Sequence, residues 1–493
     1  MRTTFSGVYI ALRALQAQQV SLDITGHNVA NANNPNYSRQ TALHTATNPH
    51  PTPMMGYTPS NGQMGTGVQV SQIVRMRDSF VDMRLRQQLQ NRNYWATLEE
   101  GLRQVELFFN EPSENSIHYA LDQLWDSLQD LSRDPELMAV REVVVQRAEL
   151  LVEAIRGTRG QLQRLSENIN DNIPTKVDEV NILAQRLADL NDEIGKVSAT
   201  GSLPNDLLDA RDAILEQLSS LVNIEITEDH ANMVGVTIGG TTLVHRSTAY
   251  KLNVRDQIST GSSTYSRKEI YWESTKGTAD ITSGEIGGML HLRDDLLQDS
   301  IDKLDEWTRD FVAAFNSIHA QGFDLEGNGG EDPNASGFPQ FKFFTFDLPD
   351  PNLDPVPSAA MNIRVNAEII EDVSRIRASS LGGARGNGEN ALRLASLRHD
   401  PPEGSTSTIG DDYNAIISSI GVKTQEAIRM TENQVVLENH LLNLKESISG
   451  VSLDEEMANM IRFQHAYNAA ARMMTAVDET LDVIINRLGI VGR

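Results

Sequence analysis

The sequence predicts a multidomain protein that is mainly α-helical, with a β-rich insert and with terminal helices that form a coiled coil. Three observations predict this fold class. Apolar residues recur every three or four positions at both ends of the chain and through its middle, which is the period of an amphipathic helix. Apolar and polar residues alternate after residue 222, as in a half-buried strand. The chain has 493 residues, enough for about three domains.

The first element is an amphipathic helix whose apolar residues follow a heptad-type spacing with one polar member, Gln19. Gly26 and the stretch NVANANNPNYSRQ, residues 28–40, then end the helix, because asparagine side chains compete for backbone hydrogen bonds. This stretch is predicted to form a helix C-cap and a turn. The apolar seam of this helix is predicted to comprise Phe5, Val8, Leu12, Leu15 and Leu22.

The last element mirrors the first. Ser452 is predicted to cap it, and Glu455, three residues later, completes a capping-box pattern. No proline or glycine interrupts the pattern before Gly489, so the helix should run for about 36 residues, or roughly 54 Å. Two apolar stripes at opposite ends of a chain each need a partner: the other stripe, or the same helices of neighbouring subunits. The seam of the last helix is predicted to comprise Leu453, Met457, Met460, Gln464, Tyr467, Ala471, Met474, Val477, Leu481, Ile484 and Leu488.

Further helices are predicted in the middle of the chain. One long seam covers residues 161–198, and Pro174 within it predicts a kink or a break. The helix over 203–222 carries Asp and Asn residues that are predicted to cap its start. The other predicted helices cover residues 80–109, 116–160, 285–319 and 411–448.

Two regions have β character. In the first, Gly239 and Gly240 separate two strand-like runs, which predicts a hairpin with a two-residue turn. In the second, FKFFTF (341–346) and MNIRV (361–365) are candidate short strands. The predicted domains are therefore a terminal helical inner domain (1–45 and 450–493), a mainly helical middle domain (46–221 and 286–449, with an irregular, short-strand region at 320–410) and a β-rich outer domain (222–285).

Composition excludes several classes of function. The formal net charge is −25, which argues against nucleic acid or an anionic membrane as the main partner. The chain has no cysteine, so disulfides, thiolate metal sites and cysteine nucleophiles are excluded. The sequence shows neither a cleavable signal peptide nor a window apolar enough to span a bilayer.

No catalytic, cofactor or metal site is predicted. The 11 histidines are scattered and form no HExxH pattern, so surface, capping or packing roles are expected for them. The stretch from Asp324 to Ala335 resembles a calcium loop in its first half, but Ala335 stands where a bidentate glutamate is needed. The glycine-rich stretch at 381–390 lacks the lysine of a phosphate-binding loop, so a flexible linker is expected there.

The stretch SLDITGHNVANANNPNYSRQ, residues 21–40, resembles the N-terminal motif shared by bacterial flagellar rod, hook and hook-associated proteins. The Ser-Arg-Gln that follows, residues 38–40, is more typical of the hook-associated branch. Residues 205–222, 283–328 and 453–489 also resemble stretches of that branch, so the likeness spans the chain. The motif positions are Asn28, Ala30, Asn31, Pro35 and Tyr37.

The resemblance implies a non-enzymatic structural role. The protein would be the adaptor between hook and filament, with its terminal helices forming an inner coiled coil that lines the axial channel. The asparagine-rich turn would close the inner helix and lead to the next domain. The helical middle would pack laterally around the tube, and the β-rich insert, which is shorter than in longer members, would face outward.

The resemblance also implies partners and a location. The partners would be other copies of the chain, the hook protein, a second junction protein that leads to the filament, and a cytoplasmic export chaperone that holds the C-terminal helix. Neither nucleic acid nor membrane insertion is expected. The protein would lie outside the cell at the hook–filament junction, after export through the flagellar type III apparatus without a cleaved signal peptide.

Two alternatives remain open at the level of sequence. The first is a rod or hook subunit of the same superfamily, against which the long helices over 161–222 and the Ser-Arg-Gln argue. The second is an enzyme or ligand-binding protein that shares only the helical termini. A convergent polar pocket within residues 222–410 would favour this second alternative.

Overall fold

The computed structural model describes residues 5–49, 64–109, 113, 116–229, 231–258, 266–331, 341–347 and 356–487. The chain divides into two compact units. The first, called here the terminal unit, consists of Met1–Gln90, Val180–Lys251 and Gln434–Arg493. The second, the inserted unit, consists of Asn91–Glu179 and Leu252–Asn433. No helix of the described part is long and apolar enough to cross a membrane.

Helices dominate both units. A π-helical turn, Leu292–Leu296, joins α6 to α7, another, Val483–Arg487, extends α12, and Val373–Arg375 forms a 3₁₀ turn. The helices are α1 (Ser6–Ala30), α2 (Ser79–Phe109), α3 (Ile117–Arg133), α4 (Met138–Ser198), α5 (Asn205–Leu221), α6 (Gly284–His291), α7 (Leu297–Gln321), α8 (Ala359–Asn362), α9 (Ala367–Glu371), α10 (Glu389–Ser396), α11 (Ile409–Ser449) and α12 (Leu453–Asp482).

The strands form small antiparallel sheets. In the terminal unit β1 pairs with β2, and β3 to β6 form a sheet in chain order; in the inserted unit β7 pairs with β8 and β9 with β10. The strands are β1 (Gln40–Ala46), β2 (Val68–Arg75), β3 (Glu225–Glu228), β4 (Val234–Ile238), β5 (Thr241–His245), β6 (Thr248–Ala249), β7 (Leu252–Ile258), β8 (Ser266–Trp272), β9 (Phe344–Phe346) and β10 (Ile363–Val365).

The terminal unit contains the sheet β3–β6, the end of α4 and helix α5. Alternate residues of β4 are buried, as expected for a strand with one face on the core. The buried side chain of Asn191 on α4 accepts from the backbone N–H of Val234 and donates to its carbonyl, which fixes the helix against β4. The predicted hairpin is confirmed, since Gly239 and Gly240 form its turn at φ +53° and +76°, angles that favour glycine.

An aromatic cluster forms the centre of the inserted unit. Trp307 stacks on Phe311 with ring centroids 5.8 Å apart, and Phe315 lies 5.0 Å from Phe344. Trp125 packs against both phenylalanines of α7. The predicted short strands are confirmed as β9 and β10, and their pairing brings Phe344 into this cluster.

The predicted fold class is confirmed, but two local predictions are wrong, and the break that was one of two alternatives at Pro174 is excluded. The helix predicted over 116–160 is interrupted between α3 and α4, because Pro135 cannot continue α3. Pro174 does not break α4: the apolar residues around it, including Ile173 and Val177, are buried and hold the helix together. Helix α5 begins after Pro204 without a side-chain cap, because the amide of Asn205 instead donates to the carbonyl of Ile73.

The β-rich character predicted after residue 222 is confirmed, since this region contains strands β3 to β8. Its strands form two separate sheets, β3–β6 in the terminal unit and β7–β8 in the inserted unit. Strand β7 starts the second segment of the inserted unit, Leu252–Asn433. The terminal unit also contains residues 46–90 and 180–221, which the sequence assigned to the middle domain. The three-domain division of the assembled protein stays a prediction.

Candidate functional site

Helices α1 and α12 pack against each other in antiparallel orientation and form what is called here the terminal hairpin. Near one end, a methyl group added at Gly7 would lie 3.2 Å from Cγ2 of Val477. At the other end, Nδ2 of Asn28 donates to Oε2 of Glu456 over 3.0 Å. Because low numbers on α1 face high numbers on α12, the two ends of the chain run side by side in opposite directions.

The buried face of α1 is not the seam that the sequence predicted. Of the predicted residues, Phe5 and Leu12 are 53% and 41% exposed, and Val8, Leu15 and Leu22 are half-buried. The buried positions carry mostly small or polar side chains, which allow close approach of neighbouring elements. They are Ala11, Ala17, Ser21, Ile24, Thr25 and Asn28.

The predicted seam of α12 contains buried, half-buried and exposed side chains. Leu481 is buried, whereas Leu453, Met457 and Ile484 are 50%, 55% and 44% exposed. Leu488 lies outside the described residues. Gln464 is exposed, and the half-buried members are Met460, Tyr467, Ala471, Met474 and Val477.

The asparagine-rich turn is built around one buried amide. The side chain of Asn28 is 1% exposed. Its Nδ2 group donates to the carbonyl of Gln40 and to Glu456, both over 3.0 Å. Its Oδ1 accepts from the N–H of Gln40 over 3.0 Å and from the hydroxyl of Tyr37 over 2.7 Å. These four bonds use the full capacity of an amide, so Asn28 joins α1, β1 and α12.

The other motif residues shape the turn itself. Helix α1 ends at Ala30, and the side chain of Asn31 donates to the carbonyl of His27 over 3.0 Å. Pro35 lies at the exposed tip. The ring of Tyr37 packs edge-on against His27, with centroids 5.3 Å apart. Burial, together with the nearby carboxylates of α5 and α12, raises the pKa of Tyr37, so its hydroxyl remains a donor to Asn28.

The Ser-Arg-Gln tripeptide connects the terminal hairpin to α5. Both the N–H and the hydroxyl of Ser38 donate to the carboxylate of Asp209, over 3.0 and 2.7 Å. The guanidinium of Arg39 donates to Glu455 over 2.7 Å, and its N–H donates to the carbonyl of Ser449 over 2.9 Å. The side chain of Gln40 reaches Asp206 on α5 over 2.8 Å. Together with the bonds between Gln40 and Asn28, these three consecutive residues contact four helices, α1, α5, α11 and α12.

Ion pairs of β2 and its flank support this connection. The guanidinium of Arg75 donates to both Asp209 and Asp212, over 2.7 and 2.9 Å. Arg77 binds Asp82 with two nitrogens and also contacts Asp212. Burial opposes ionisation of Asp212, but the surrounding arginines outweigh burial and lower its pKa. The acidic face of α5 is therefore a charged anchor for residues 38–40.

The start of α12 has the predicted Ser452 cap, but the carboxylate of Glu455 binds Arg39. The hydroxyl of Ser452 accepts from the N–H of Glu455. The carboxylate of Glu455 pairs with Arg39. Its sequence neighbour Glu456, which a carboxylate pair in a helix would lead one to expect on a solvated face or at the cap, is instead only 3% exposed and faces Asn28. No local pattern in the sequence marks this contact, because Asn28 and Glu456 are 428 positions apart.

No catalytic arrangement was found among the described residues. The carboxylate of Asp324 accepts hydrogen bonds from the backbone N–H groups of Glu326 and Asn328, as in an Asx-turn. In the described ranges, no cluster of three or more histidine and acidic side chains could hold a metal ion. A shallow cavity of about 290 Å³ beside β7 is lined by Arg255 and Lys268, both of which already form ion pairs.

Comparison with known proteins gives consistent results. Residues 102–332 match the family model of the flagellar hook-associated protein FlgK helical domain. Residues 8–37 match the flagella basal body rod protein model, and residues 446–488 match the flagellar basal body rod FlgEFG protein C-terminal model. The rod-protein matches thus cover most of α1 with its turn, and α12.

Full-length relatives and one solved structure extend these matches. The chain is 32% identical to flagellar hook-associated protein 1 of Bacillus subtilis (strain 168), with 100% of both chains covered. It is 27% identical to flagellar hook-associated protein 1 of Escherichia coli (strain K12), with 97% of this chain and 98% of the relative covered. The flagellar hook junction protein FlgK from Burkholderia pseudomallei shares the fold, with a TM-score of 0.61 and 15% identity, covering 74% of this chain and 100% of that chain.

Proposed function

The chain belongs to the flagellar hook-associated protein 1 family, and from this premise we propose that it serves as the adaptor that joins the flagellar hook to the filament. The family is structural, so the protein is a hook-associated component of the flagellum and not an enzyme. The sequence resemblance, carried by the motif in residues 21–40 together with residues 205–222, 283–328 and 453–489, therefore identified the correct family.

We further propose that α1 and α12 are the parts that assemble, with the terminal helices lining the axial channel. One observation carries this proposal: after α1 and α12 have packed together, large apolar side chains still face solvent. Exposed apolar patches on a folded chain mark interaction sites. The exposed fractions are 53% for Phe5, 60% for Tyr9, 41% for Leu12, 50% for Leu453, 55% for Met457 and 56% for Ile461.

The same exposed residues support a set of partners. Other copies of the chain, the hook protein below and a second junction protein above would cover them in the flagellum. Before assembly, a cytoplasmic export chaperone would cover the exposed side of α12. The proposed route is export through the flagellar type III apparatus without a cleaved signal peptide, which ends outside the cell at the hook–filament junction.

The experiment that tests the adaptor role is deletion of the gene, followed by electron microscopy of cell-attached flagella and measurement of flagellin in the medium. We expect complete hooks without filaments, and flagellin released into the medium. Normal filaments in the deletion strain would contradict the proposal.

A rod or hook subunit is the second candidate, because the matches to rod-protein models cover both ends of the chain. The same deletion separates the two roles. Hooks would be missing if the chain were a rod or hook subunit, whereas the adaptor role leaves the hooks complete.

A further inference from the structure

Methionine is the only sulfur-containing residue of this chain. The sequence has 15 methionines and no cysteine, so oxidants that attack sulfur meet only thioethers. Such oxidants react most readily with thioethers that solvent can reach. Among the methionines that the structure describes, Met457 on α12 has the largest exposed fraction, 55%. Met457 is therefore among the side chains that an oxidant in solution modifies first.

Met457 lies in the middle of an apolar strip. Leu453 and Ile461 stand four residues before and after it on the same face of α12, and they are 50% and 56% exposed. These three residues are called here the α12 strip. Glu456 directly precedes Met457 and accepts a hydrogen bond from Asn28 on α1. Successive residues of a helix point about 100° apart, so Met457 points away from this contact.

We propose that Met457 is an oxidation site through which a peroxide regulates assembly of the chain. The inference rests on the proposed function, because it concerns the regulation of a surface that partners are proposed to cover. Hydrogen peroxide transfers one oxygen atom to the sulfur of Met457. The thioether loses two electrons and becomes a sulfoxide, and the peroxide is reduced to water. A methionine sulfoxide reductase reverses the change.

The sulfoxide affects the free chain and the assembled chain differently. In the free chain, water hydrates the new S=O group at an exposed position, so the stability of the fold changes little. In the assembled chain, the same oxygen lies in an apolar contact, where a polar group without a hydrogen bond is costly. Oxidation of Met457 therefore weakens assembly and leaves the chain folded.

Peptide mapping by mass spectrometry tests whether Met457 is oxidised. The purified full-length chain and isolated flagella are treated with hydrogen peroxide, and the gain of one oxygen atom is followed at each methionine. In the free chain, Met457 should be oxidised faster than Met460, which is half-buried on the same helix. In flagella, oxidation of Met457 should be slower by about fivefold or more, because a partner covers it. Slower oxidation of Met457 than of Met460 in the free chain would overturn the proposal.

Binding to isolated hooks tests whether the oxidation matters. Peroxide treatment of the wild-type chain should lower its binding by about fivefold or more, as expected for the burial of one unpaired polar group. Met457→Leu keeps an apolar side chain of similar volume but has no sulfur, so the treated variant should stay within about twofold of the untreated chain. Equal losses in the two treated chains would overturn the proposal.

The matched control is Met83→Leu, at a methionine on α2 that is 45% exposed and lies outside the α12 strip. Treated Met83→Leu should lose binding as the treated wild type does, and full protection by this variant would overturn the assignment to Met457. Unchanged binding of the treated wild-type chain would overturn the oxidation site and leave the adaptor role standing. Failure of the untreated wild-type chain to bind hooks would overturn the adaptor role itself.

Discussion

The terminal hairpin and the aromatic cluster of the inserted unit use large apolar side chains in opposite ways. Phe311 and Phe315 are completely buried, and Trp125 is 3% exposed. In the hairpin, Phe5 and Tyr9 are more than half exposed, and small residues occupy much of the buried face of α1. The aromatic cluster thus finds its apolar partners within the chain, whereas the hairpin leaves large apolar side chains exposed in the described part of the chain, which is the surface that we propose other molecules cover.

The largest effect is expected when an aromatic side chain is truncated to alanine in each of the two regions and the losses of stability are compared. Phe315→Ala removes a ring that contacts Trp125, Phe343 and Phe344, and should lower the free energy of unfolding by about 3–5 kcal/mol. Tyr9→Ala removes an exposed ring and should change it by less than about 0.5 kcal/mol, while reducing incorporation into flagella. Denaturant unfolding of both variants measures the two values.

The control for these two variants is the truncation of an exposed apolar side chain outside the hairpin. Leu107→Ala, at a side chain that is 72% exposed in the inserted unit, should change neither stability nor incorporation. Equal loss of stability in Phe315→Ala and Tyr9→Ala would show that the hairpin is closed in the same way as the aromatic cluster.

The contact between α1, β1 and α12 differs from both of these regions. Buried hydrogen bonds of Asn28, and not apolar packing, hold these three elements together. Asn28→Asp keeps the shape of the side chain but replaces two donated hydrogen bonds with a carboxylate that faces Glu456 and the carbonyl of Gln40. We expect a loss of about 2–3 kcal/mol, and faster amide exchange at the start of α12.

The matched control is Asn31→Asp, three residues further along the same turn. The side chain of Asn31 makes one exposed hydrogen bond, to the carbonyl of His27. Its replacement should cost less than about 1 kcal/mol. If both aspartate variants exchange at the same rate as wild type, Asn28 does not hold the hairpin in place.

Local signals in the sequence predicted much of this fold. Helix periodicity located the long helices, the glycine pair located the β4–β5 turn, and Ser452 was identified as the cap of α12. The anchor of the hairpin was not predictable in this way, because Ser38 and Asp209 are 171 positions apart. The buried face of α1 was also missed, since periodicity analysis ranks large apolar residues above alanine, serine and threonine. The motif pointed to Asn28 only as a helix stop.

A buried histidine provides a test of the inserted unit that is based on pH. His319 is fully buried, and its Nε2 accepts from the backbone N–H of Arg377 over 3.1 Å. Burial, with Arg377 and Arg141 nearby, lowers the pKa of His319 to about 3. The unfolded chain, in which a histidine titrates near 6.5, therefore binds more protons than the folded chain between these two values. The contribution of the neutral ring is fully present above pH 6.5 and is lost as the pH falls towards 3.

From this difference, the free energy of unfolding should fall by up to about 1.4 kcal/mol for each pH unit below 6.5, in addition to the effect of the carboxylates. His319→Gln offers an acceptor to the same N–H but cannot take up a proton, so its unfolding free energy should depend less steeply on pH over this window. Urea titrations at pH 7, 6 and 5 measure both slopes. Parallel slopes for the two chains would mean that the ring takes up its proton over the same pH range in the folded and the unfolded chain, so that burial does not lower the pKa of His319.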